Sequence, residues 1–400
     1  MVSVVIFIVY LYFLLNKTEK TIILTIIWYP STTLYNTLYL KLIIVVAFIF
    51  LFIKEFKYKR GEYLSFPFKL PFILCLSSYI ISYIIWHDSY ACIYNTMFIY
   101  FVPIVFWAYF RPTEEIWCFV IRNIIIYMSI ICIVGIVESI FYINPFFEIA
   151  KEINGAIPEK ALTIRYGLKQ AQSITVWCEC FGTICGLAAS SLPFMLKITA
   201  KDITQKHFLL ILMLLFSVVC SGSRTALVST AVCMIGVVYL MNSMQRVKIF
   251  IIVLVIFTII PSIFNEIFNS IIKQDEYGGS STGMRQDQFE LSIYYARNSL
   301  IWGNGLGKTW NILEDSGLLG AESILFYTII DRGIWGIVTL LFLYICIINH
   351  LIKQKQFLLC YIPIGFLLNK ILTLTAGLDE TYPLFWLIPL IKNDYYLENK

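Results

Sequence analysis

The chain has 400 residues, of which 59% are hydrophobic and only 14% are charged. Soluble globular domains are about a quarter charged, so this composition excludes an ordinary soluble enzyme and indicates an integral membrane protein. The net charge of +5 is modest, and the basic residues lie between apolar runs rather than on one helix face with aromatic residues. Nucleic acid is therefore not expected as a partner.

Apolar runs follow one another along almost the whole chain, and a helix needs about 20 mostly apolar residues to cross a bilayer. These runs predict an all-α fold, a polytopic transmembrane helical bundle of about 12 spans that forms one integral membrane domain over residues 1–400. The N-terminal spans are ambiguous, because Tyr29-Pro30-Ser31 breaks the stretch Thr21–Asn36. Tyr382–Ile391, with two prolines, is ambiguous as well. The clear candidates are Tyr39–Ile53, Pro67–Trp86, Ala91–Phe110, Ile116–Tyr142, Ser173–Leu196, Phe208–Cys220, Thr225–Met241, Val247–Phe264, Glu322–Ile348 and Phe357–Thr375.

Lysine and arginine between the runs predict the orientation of the spans, because short basic loops stay on the cytoplasmic side. Basic clusters such as Lys54–Arg60, Lys197–Lys206 and Lys353–Lys355 fall on connections that share one side. The opposite, extracytoplasmic side then carries two long segments, Ile143–Gln172 and Asn265–Ala321. We therefore expect a multi-pass protein of the cytoplasmic (inner) membrane.

The segment Asn265–Ala321 is the largest polar feature of the chain. It combines a flexible stretch at Gly278–Gly283, a predicted helix over Met284–Leu300 and a turn at Gly303–Gly307. Loops longer than about 15 residues in compact proteins are usually functional or disordered, and the predicted helix argues against disorder. We therefore predict a large, partly helical extracytoplasmic loop with a role in function.

Most of the eleven cysteines lie inside apolar runs, where a thiol behaves as a small apolar group. Cys178-Glu-Cys180 lacks the spacing and the partner residues of a zinc site. His207 and His350 fall on the predicted cytoplasmic side. The sequence predicts neither structural disulfides nor a metal site, and it implies no cofactor.

Three arginines fall on the predicted extracytoplasmic side. Arg224 lies in the turn Ser221–Thr225 between two spans, and Arg165 and Arg285 lie in the two long loops. Guanidinium groups bind phosphate through paired hydrogen bonds, so a cluster of these three would hold a pyrophosphate at the membrane surface. Taken singly, Arg224 is equally well explained by snorkelling to lipid headgroups or by capping a neighbouring helix C-terminus, and each loop arginine is better explained by simple solvation.

Deprotonating a hydroxyl would require a base, for which carboxylates are the natural candidates. Glu322 opens a span directly after the large loop, and the motif that it begins, described below, favours it among these carboxylates. For each carboxylate the alternative is a structural ion pair with a nearby cation such as Lys370. Further candidates at the outer ends of spans are Glu138, Glu179, Asp379 and Glu380.

Three motifs in series are similar to those of the O-antigen polymerase and O-antigen ligase superfamily. They are Ser221–Leu227 leading into a span, Arg285 at the head of a helix that runs into Gly303–Gly307, and Glu322-Ser323 followed by Asp331–Gly336. Together they cover Phe208–Tyr344. Ligases of the superfamily commonly carry a His-Asn pair where this chain has Glu322-Ser323, which favours a Wzy-type polymerase over a ligase.

The resemblance implies a glycosyltransferase that polymerises lipid-linked oligosaccharide repeat units of an O-antigen, capsule or exopolysaccharide. The donor would be a glycan on undecaprenyl pyrophosphate, and the acceptor a hydroxyl of a second lipid-linked unit, without a metal. Implied partners are membrane lipid and, in the same pathway, a chain-length regulator and a flippase.

The resemblance also implies roles for individual residues. Arg224, Arg285 and Glu322 would be catalytic, and Arg165 would join the two arginines in binding pyrophosphate. The aromatic residues of the large loop, of which we select Tyr294 and Trp302, would stack on sugar rings or anchor at the membrane interface.

Three other functions remain open at this point. A ligase would transfer the glycan to a lipid or protein acceptor. A polysaccharide flippase should carry charges along a path across the whole bilayer, whereas here ionisable residues gather near the outer ends of spans. A structural subunit of an assembly complex would not need arginines on three separate outer segments.

Overall fold

A computed structural model describes residues 10–32, 67–86, 113–146, 164–165, 168–175, 177–199, 203–241, 282–315, 323–373 and 385–391, with a few isolated positions between them. These residues are mostly helical, as the composition predicts. In chain order the elements are α1 (Thr18–Thr32), α2 (Lys69–Trp86), α3 (Glu114–Phe141), β1 (Ile164–Arg165), β2 (Leu168–Lys169), α4 (Cys178–Ile198), α5 (Gln205–Cys220), α6 (Arg224–Leu240), α7 (Thr282–Ala296), α8 (Lys308–Asp315), α9 (Ile324–Lys353), a 3-10 helix (Phe357–Cys360), α10 (Tyr361–Leu372) and a second 3-10 helix (Ile388–Leu390).

Four of the described helices, α2, α3, α4 and α9, are long and apolar enough to cross a membrane. Shorter apolar helices are α5, α6 and the segment Phe357–Leu372. Large apolar side chains on the outside of the bundle, such as Ile73 (63% exposed) and Ile345 (61% exposed), suit contact with lipid tails. The chain is therefore a membrane protein.

Three predicted spans lie wholly or mostly outside the described residues, so the number of about 12 stays a prediction. These are Tyr39–Ile53, Ala91–Phe110 and Val247–Phe264.

The helices add detail to the predicted spans. The predicted break at Tyr29-Pro30-Ser31 coincides with the last turn of α1, which ends at Thr32, and the residues that follow lie outside the described part. The span predicted from Ser173 begins at Cys178, after a turn in which Ser173 has φ 55°. The helix α9, within the predicted span Glu322–Ile348, is interrupted at Gly333, which has φ 66° and ψ −166°. The two-residue strands β1 and β2 are a small departure from the all-α prediction.

Serine and threonine caps begin several of the described helices. Thr113 accepts a hydrogen bond from the Ile116 N–H at the start of α3, and Thr204 forms a capping box with His207 at the start of α5. Ser223 caps α6 by accepting from the Ala226 N–H. Local side-chain chemistry thus fixes where these helices start.

Contacts among α4, α6 and α10 define their relative directions. Gly186 of α4 packs directly against Thr230, and small residues of this kind let spanning helices approach closely. Asn369 of α10 donates from Nδ2 to Oγ of Ser229 at 3.0 Å, while the Ile362 carbonyl faces Cys233, one turn further along α6. The helix α10 therefore runs antiparallel to α6.

The helices α2 and α9 form a second antiparallel pair. Ser82 donates to the Asp331 carbonyl at 2.9 Å, and Cys75 faces the Thr339 carbonyl further along α9. The last turns of α2 therefore lie beside the first turns of α9, and α10 packs against both α9 and α6.

These contacts group the helix ends into two sets. One end of the bundle carries the C-terminal ends of α2, α3, α5 and α10, the starts of α4, α6 and α9, and the β1–β2 hairpin; we call it the hairpin end. The opposite end, here the lysine end, carries Lys197, Lys206, Lys353 and Lys355. This grouping agrees with the sidedness predicted from the basic residues, whereas the compartment that each end faces stays a prediction.

Candidate functional site

The β1–β2 hairpin is attached to the turn that carries Arg224. Directly after β2, the Ala171 N–H donates to the Cys220 carbonyl at 2.9 Å, and Gln170 donates from Nε2 to the Gly222 carbonyl at 3.4 Å. Arg165 lies in β1 and pairs with Leu168 across the hairpin; its side chain lies outside the described part of the chain. The structure thus brings the backbone segments of two predicted site arginines together.

Glu138 anchors the segment that follows the hairpin. Its carboxylate is buried and accepts hydrogen bonds at 3.0 Å from the Gln172 N–H, at 2.7 Å from the Ser173 N–H and at 2.9 Å from Nδ2 of Asn144. Lys169 lies 3.4 Å from its second oxygen. We call these five residues the Glu138 clasp. The sequence left Glu138 as either a candidate base or one half of a structural ion pair. The described contacts match the ion pair, with Lys169 as the cation instead of Lys370.

Arg224 is the first residue of α6 and is partly buried at the hairpin end. A helix N-terminus favours anionic groups, and a guanidinium beside it adds a full positive charge. The surrounding turn is shaped by Gly222, with φ 63°, and by the Ser223 cap. The motif Ser221–Arg224 therefore builds a tight helix start that presents a cation.

A second polar cluster lies where the large loop meets α9. The kink at Gly333 breaks the helical hydrogen bonds of α9, and the loop supplies replacements. The Ile334 N–H donates to the Leu300 carbonyl at 2.9 Å, and the Ile330 carbonyl accepts from the Asn304 N–H at 2.7 Å. Non-helical backbone is tolerated at membrane depth only where such partners exist, so loop and helix form one unit.

Two glycines make this close approach feasible. Gly303 and Gly333 have positive φ angles of 77° and 66° and lie back to back. A Cβ atom at Gly303 would overlap the backbone of Asp331 and Arg332, and one at Gly333 would overlap the Ile301 carbonyl. The predicted turn at Gly303–Gly307 is confirmed, and its glycines serve contact with α9.

Asp331 holds the same loop through its side chain. The carboxylate is fully buried and accepts from the Gly307 N–H at 2.7 Å, the Thr309 N–H at 2.9 Å and the Thr309 hydroxyl at 2.6 Å. These are charge-assisted hydrogen bonds, which are stronger than neutral ones. The start of α8 is thereby fixed to the kink of α9.

Arg332 points into the bundle beside Asp331. It donates to Oγ of Ser78 at 3.3 Å and to Oγ1 of Thr328 at 2.9 Å, and its guanidinium lies 4.0 Å from the Tyr79 ring centroid. The resemblance named this Asp-Arg pair without a role for it. Adjacent charges inside an otherwise apolar run are the signal that could have marked both as buried contact residues.

The other predicted site residues lie on or beside α7. This helix packs on α9 through Phe289 and Phe326, whose ring centroids are 5.9 Å apart. Arg285 is partly buried near the start of α7. Tyr294 is 63% exposed and Trp302 is 39% exposed, so both offer ring surface at the hairpin end.

The structure leaves the predicted base outside the described residues. Glu322 itself is not described, and Ser323, its neighbour in the motif, caps α9 by accepting from the Leu325 N–H at 3.2 Å. Asp379 and Glu380 also lie outside the described part. Within the described part, Glu179 accepts from the Cys178 thiol at 3.2 Å.

The cysteines and acidic residues of the described part form neither a metal site nor a disulfide. No group of three or more His, Cys, Asp or Glu there is arranged to hold a metal ion, and ten described cysteines are free thiols.

Residues 208–341, about a third of the chain, match a family model described as O-antigen ligase. They include the Arg224 turn, Arg285, the glycine loop and Asp331-Arg332. This region belongs to the O-antigen polymerase and ligase superfamily. The match agrees with the resemblance over Phe208–Tyr344 and supports polymerase-type or ligase-type activity on lipid-linked glycans, without separating the two. A comparison with curated proteins found no match.

The hairpin lies outside the O-antigen polymerase and ligase region in sequence but touches it in space. Its contacts through Ala171 and Gln170 end on Cys220 and Gly222, which both belong to the matched region. The candidate site at the hairpin end thus combines the superfamily region with the segment that carries Arg165.

Proposed function

We propose that this protein polymerises lipid-linked oligosaccharide repeat units, of an O-antigen, capsule or exopolysaccharide, at the outer face of the cytoplasmic membrane. The donor is a glycan on undecaprenyl pyrophosphate, and the acceptor is a hydroxyl of a second lipid-linked unit. The superfamily match supports the class of reaction, and the Glu322-Ser323 sequence supports polymerase over ligase.

The proposed step is a single displacement at the anomeric carbon of the donor. The acceptor hydroxyl oxygen forms the new glycosidic bond while the bond from the anomeric carbon to the pyrophosphate oxygen breaks. Undecaprenyl pyrophosphate leaves with the bonding electrons, and the hydroxyl proton passes to a base, for which we propose Glu322. No nucleotide, redox partner or metal is needed to balance this step.

Arg165, Arg224 and Arg285 are proposed to bind the pyrophosphate and to stabilise the charge that grows on it as the bond breaks. Preorganised donors of this kind each contribute about 10²- to 10³-fold in rate. Tyr294 and Trp302 are proposed to stack on sugar rings, for which their exposed ring surfaces are suited.

The observation that carries the proposal is the junction between the hairpin and the Arg224 turn. A site for a long lipid-linked substrate needs cations from several segments at one membrane surface. The contacts from Ala171 and Gln170 to residues 220–222 support such an arrangement for Arg165 and Arg224, at the end of the bundle where α7 carries Arg285.

A ligase is the second candidate, because the matching family model is described by that activity. A ligase would transfer finished glycan to a lipid or protein acceptor, whereas a polymerase lengthens the glycan itself. The partners of the two enzymes differ accordingly, and for the polymerase we propose a chain-length regulator and a flippase of the same pathway.

Deletion of the gene separates the candidates through the surface polysaccharide that remains. A polymerase deletion leaves single repeat units at the surface. Full-length polymer that stays lipid-linked would instead identify a ligase, and repeat units trapped inside the cell would identify a flippase. Complementation with wild-type protein should restore the polymer, whereas Arg224→Ala and Arg285→Ala, inserted at wild-type levels, should not.

A further inference from the structure

At the lysine end, a cavity of about 130 Å³ opens between α4, α6 and the turn that leads into the 3-10 helix Phe357–Cys360. This volume is several times the roughly 30 Å³ that one water molecule takes up in the liquid. The cavity lies at the opposite end of the bundle from the hairpin, so it is separate from the proposed site of glycosyl transfer.

One wall of the cavity is cationic. Lys197, in the last turn of α4, and Lys355, in the turn after α9, both line it and both are exposed. Neither has an acidic partner among the described residues. Both ammonium groups line the cavity, where they can pair with an anion.

Gln356 supplies a second, independent indication of a ligand. Its side chain is 94% buried, lines the cavity, and has an Nε2 group with no hydrogen-bond partner among the described residues. A buried amide donor without an acceptor is costly, which indicates that an acceptor occupies this space. A lysine near a helix C-terminus is explained by the negative end of the helix dipole, so Lys197 and Lys355 alone would not indicate a ligand. The dipole does not explain a buried amide donor without an acceptor.

The remaining walls are apolar. Phe194 and Leu358 line the cavity from α4 and from the 3-10 helix, and Leu240 closes it from α6. Phe357, which is 61% exposed, extends the apolar surface outward. A ligand that fits must therefore combine an anionic, hydrogen-bond-accepting head with a hydrocarbon chain.

We propose that this cavity binds an anionic phospholipid. The phosphate pairs with Lys197 and Lys355 and accepts a hydrogen bond from Gln356, and an acyl chain lies against Phe194, Leu240 and Phe357. The lysine end is the predicted cytoplasmic end, where anionic lipids are concentrated and basic pockets between spanning helices bind their headgroups. The inference does not depend on the proposed reaction.

The test uses purified full-length protein in neutral detergent and follows its thermal unfolding by tryptophan fluorescence. Phosphatidylglycerol is expected to raise the Tm of the wild type by roughly 3–8 °C at saturation. The double variant Lys197→Gln/Lys355→Gln should lose this rise. The matched control Lys206→Gln/Lys353→Gln removes two charges from the same end but outside the cavity, and it should keep the rise.

Additional measurements distinguish an anionic phospholipid from a neutral lipid and from free phosphate. Phosphatidylcholine and inorganic phosphate, each added alone, should leave the Tm unchanged. Gln356→Leu removes the unpaired amide, so its lipid-free Tm should equal or exceed that of the wild type while the phosphatidylglycerol-induced rise shrinks.

Three results would overturn the proposal. The first is an equal response to phosphatidylglycerol in the Lys197→Gln/Lys355→Gln variant and the wild type. The second is an equal rise with phosphatidylcholine, which would mean general lipid solvation. The third is an equal rise with inorganic phosphate, which would mean a free-anion site.

Discussion

The two ends of the bundle are held together in different ways. At the hairpin end, buried polar contacts join segments that are far apart in the sequence. Glu138 accepts from Ser173, 35 residues away, and Asp331 accepts from Thr309, 22 residues away. Ser82 reaches the carbonyl of Asp331 across 249 residues. This end is organised by long-range contacts.

At the lysine end most of the described polar contacts are local. Thr204 pairs with His207 three residues away, and Arg246 donates to the Met241 carbonyl five residues away. The exposed ion pair between Lys20 and Glu115 is long-range, but pairs of this kind contribute little stability.

The hairpin end is therefore the end that holds loops in fixed positions. Local caps determine where a helix starts or stops, whereas buried contacts between distant segments determine where a loop lies relative to the helices. A site that stabilises developing charge needs donors held in place before the reaction, which only the second kind of contact provides. The following predictions test this contrast, in decreasing order of expected effect.

Removing the Glu138 carboxylate should have the largest effect. Glu138→Ala leaves Lys169 and two buried N–H groups without their acceptor, so we expect a loss of about 3–5 kcal/mol in the free energy of unfolding. Denaturant unfolding of the purified protein measures this loss. Glu290→Ala, an exposed carboxylate on α7, should stay within about 0.5 kcal/mol of the wild type. A loss below about 1 kcal/mol for Glu138→Ala would show that the clasp does not anchor the hairpin end.

The site arginines should affect the reaction rather than the fold. Arg224→Ala and Arg285→Ala are each expected to lower the rate of polymer formation about 10²- to 10³-fold, because each removes a donor to the leaving pyrophosphate. Lysine at either position should restore part of the rate, since it keeps the charge but not the planar fork. Rates are measured on membranes with equal amounts of inserted protein.

Arg297→Ala is the matched control, because Arg297 is exposed just after α7. It should leave the rate close to that of the wild type. An equal loss of rate in Arg297→Ala and Arg285→Ala would show that the effect arises from general surface charge and not from a specific contact of Arg285.

Asp331→Asn should loosen the loop at the kink of α9. The amide keeps the shape but lacks the charge that strengthens three hydrogen bonds, which costs about 1–3 kcal/mol. Amide hydrogen exchange at Gly307 and Thr309 should accelerate by roughly 5- to 150-fold, whereas exchange in α5 should not change. Unchanged exchange at both amides would show that Asp331 does not fasten the loop.

The smallest effect is expected from the cap at the lysine end. Thr204→Ala removes one capping side chain and should lower the free energy of unfolding by about 1 kcal/mol, with no change in the rate of polymer formation. A loss as large as that of Glu138→Ala in the same unfolding measurement would remove the contrast between the two ends.

The same contrast explains what the sequence could predict. Apolar runs located α2, α3, α4, α5, α6, α9 and α10 to within a few residues, because hydropathy and capping are local properties. The kink at Gly333 was missed, since it depends on the loop around Leu300 and Asn304 pairing with the broken helix. The pairing of Glu138 with Lys169 was missed for the same reason.

Among the site residues, the sequence predicted the segments better than their surroundings. The motif Ser221–Arg224 is a helix start at the hairpin end, and Arg285 lies near the start of the expected helix. Nothing local in the sequence links the hairpin to Cys220 and Gly222, so the joining of Arg165 with Arg224 could be inferred only from topology. Roles for these arginines and for Glu322 stay predictions.

The most direct test is a reconstituted reaction. Purified protein in liposomes is supplied with a single undecaprenyl-pyrophosphate-linked repeat unit, and the glycan products are sized by mass spectrometry. We predict a ladder of whole repeat units in step with release of undecaprenyl pyrophosphate, and its absence with the Arg224→Ala/Arg285→Ala protein. Products that never exceed one repeat unit with the wild-type protein would contradict the polymerase function, and an unchanged ladder with the double variant would contradict the role of the two arginines.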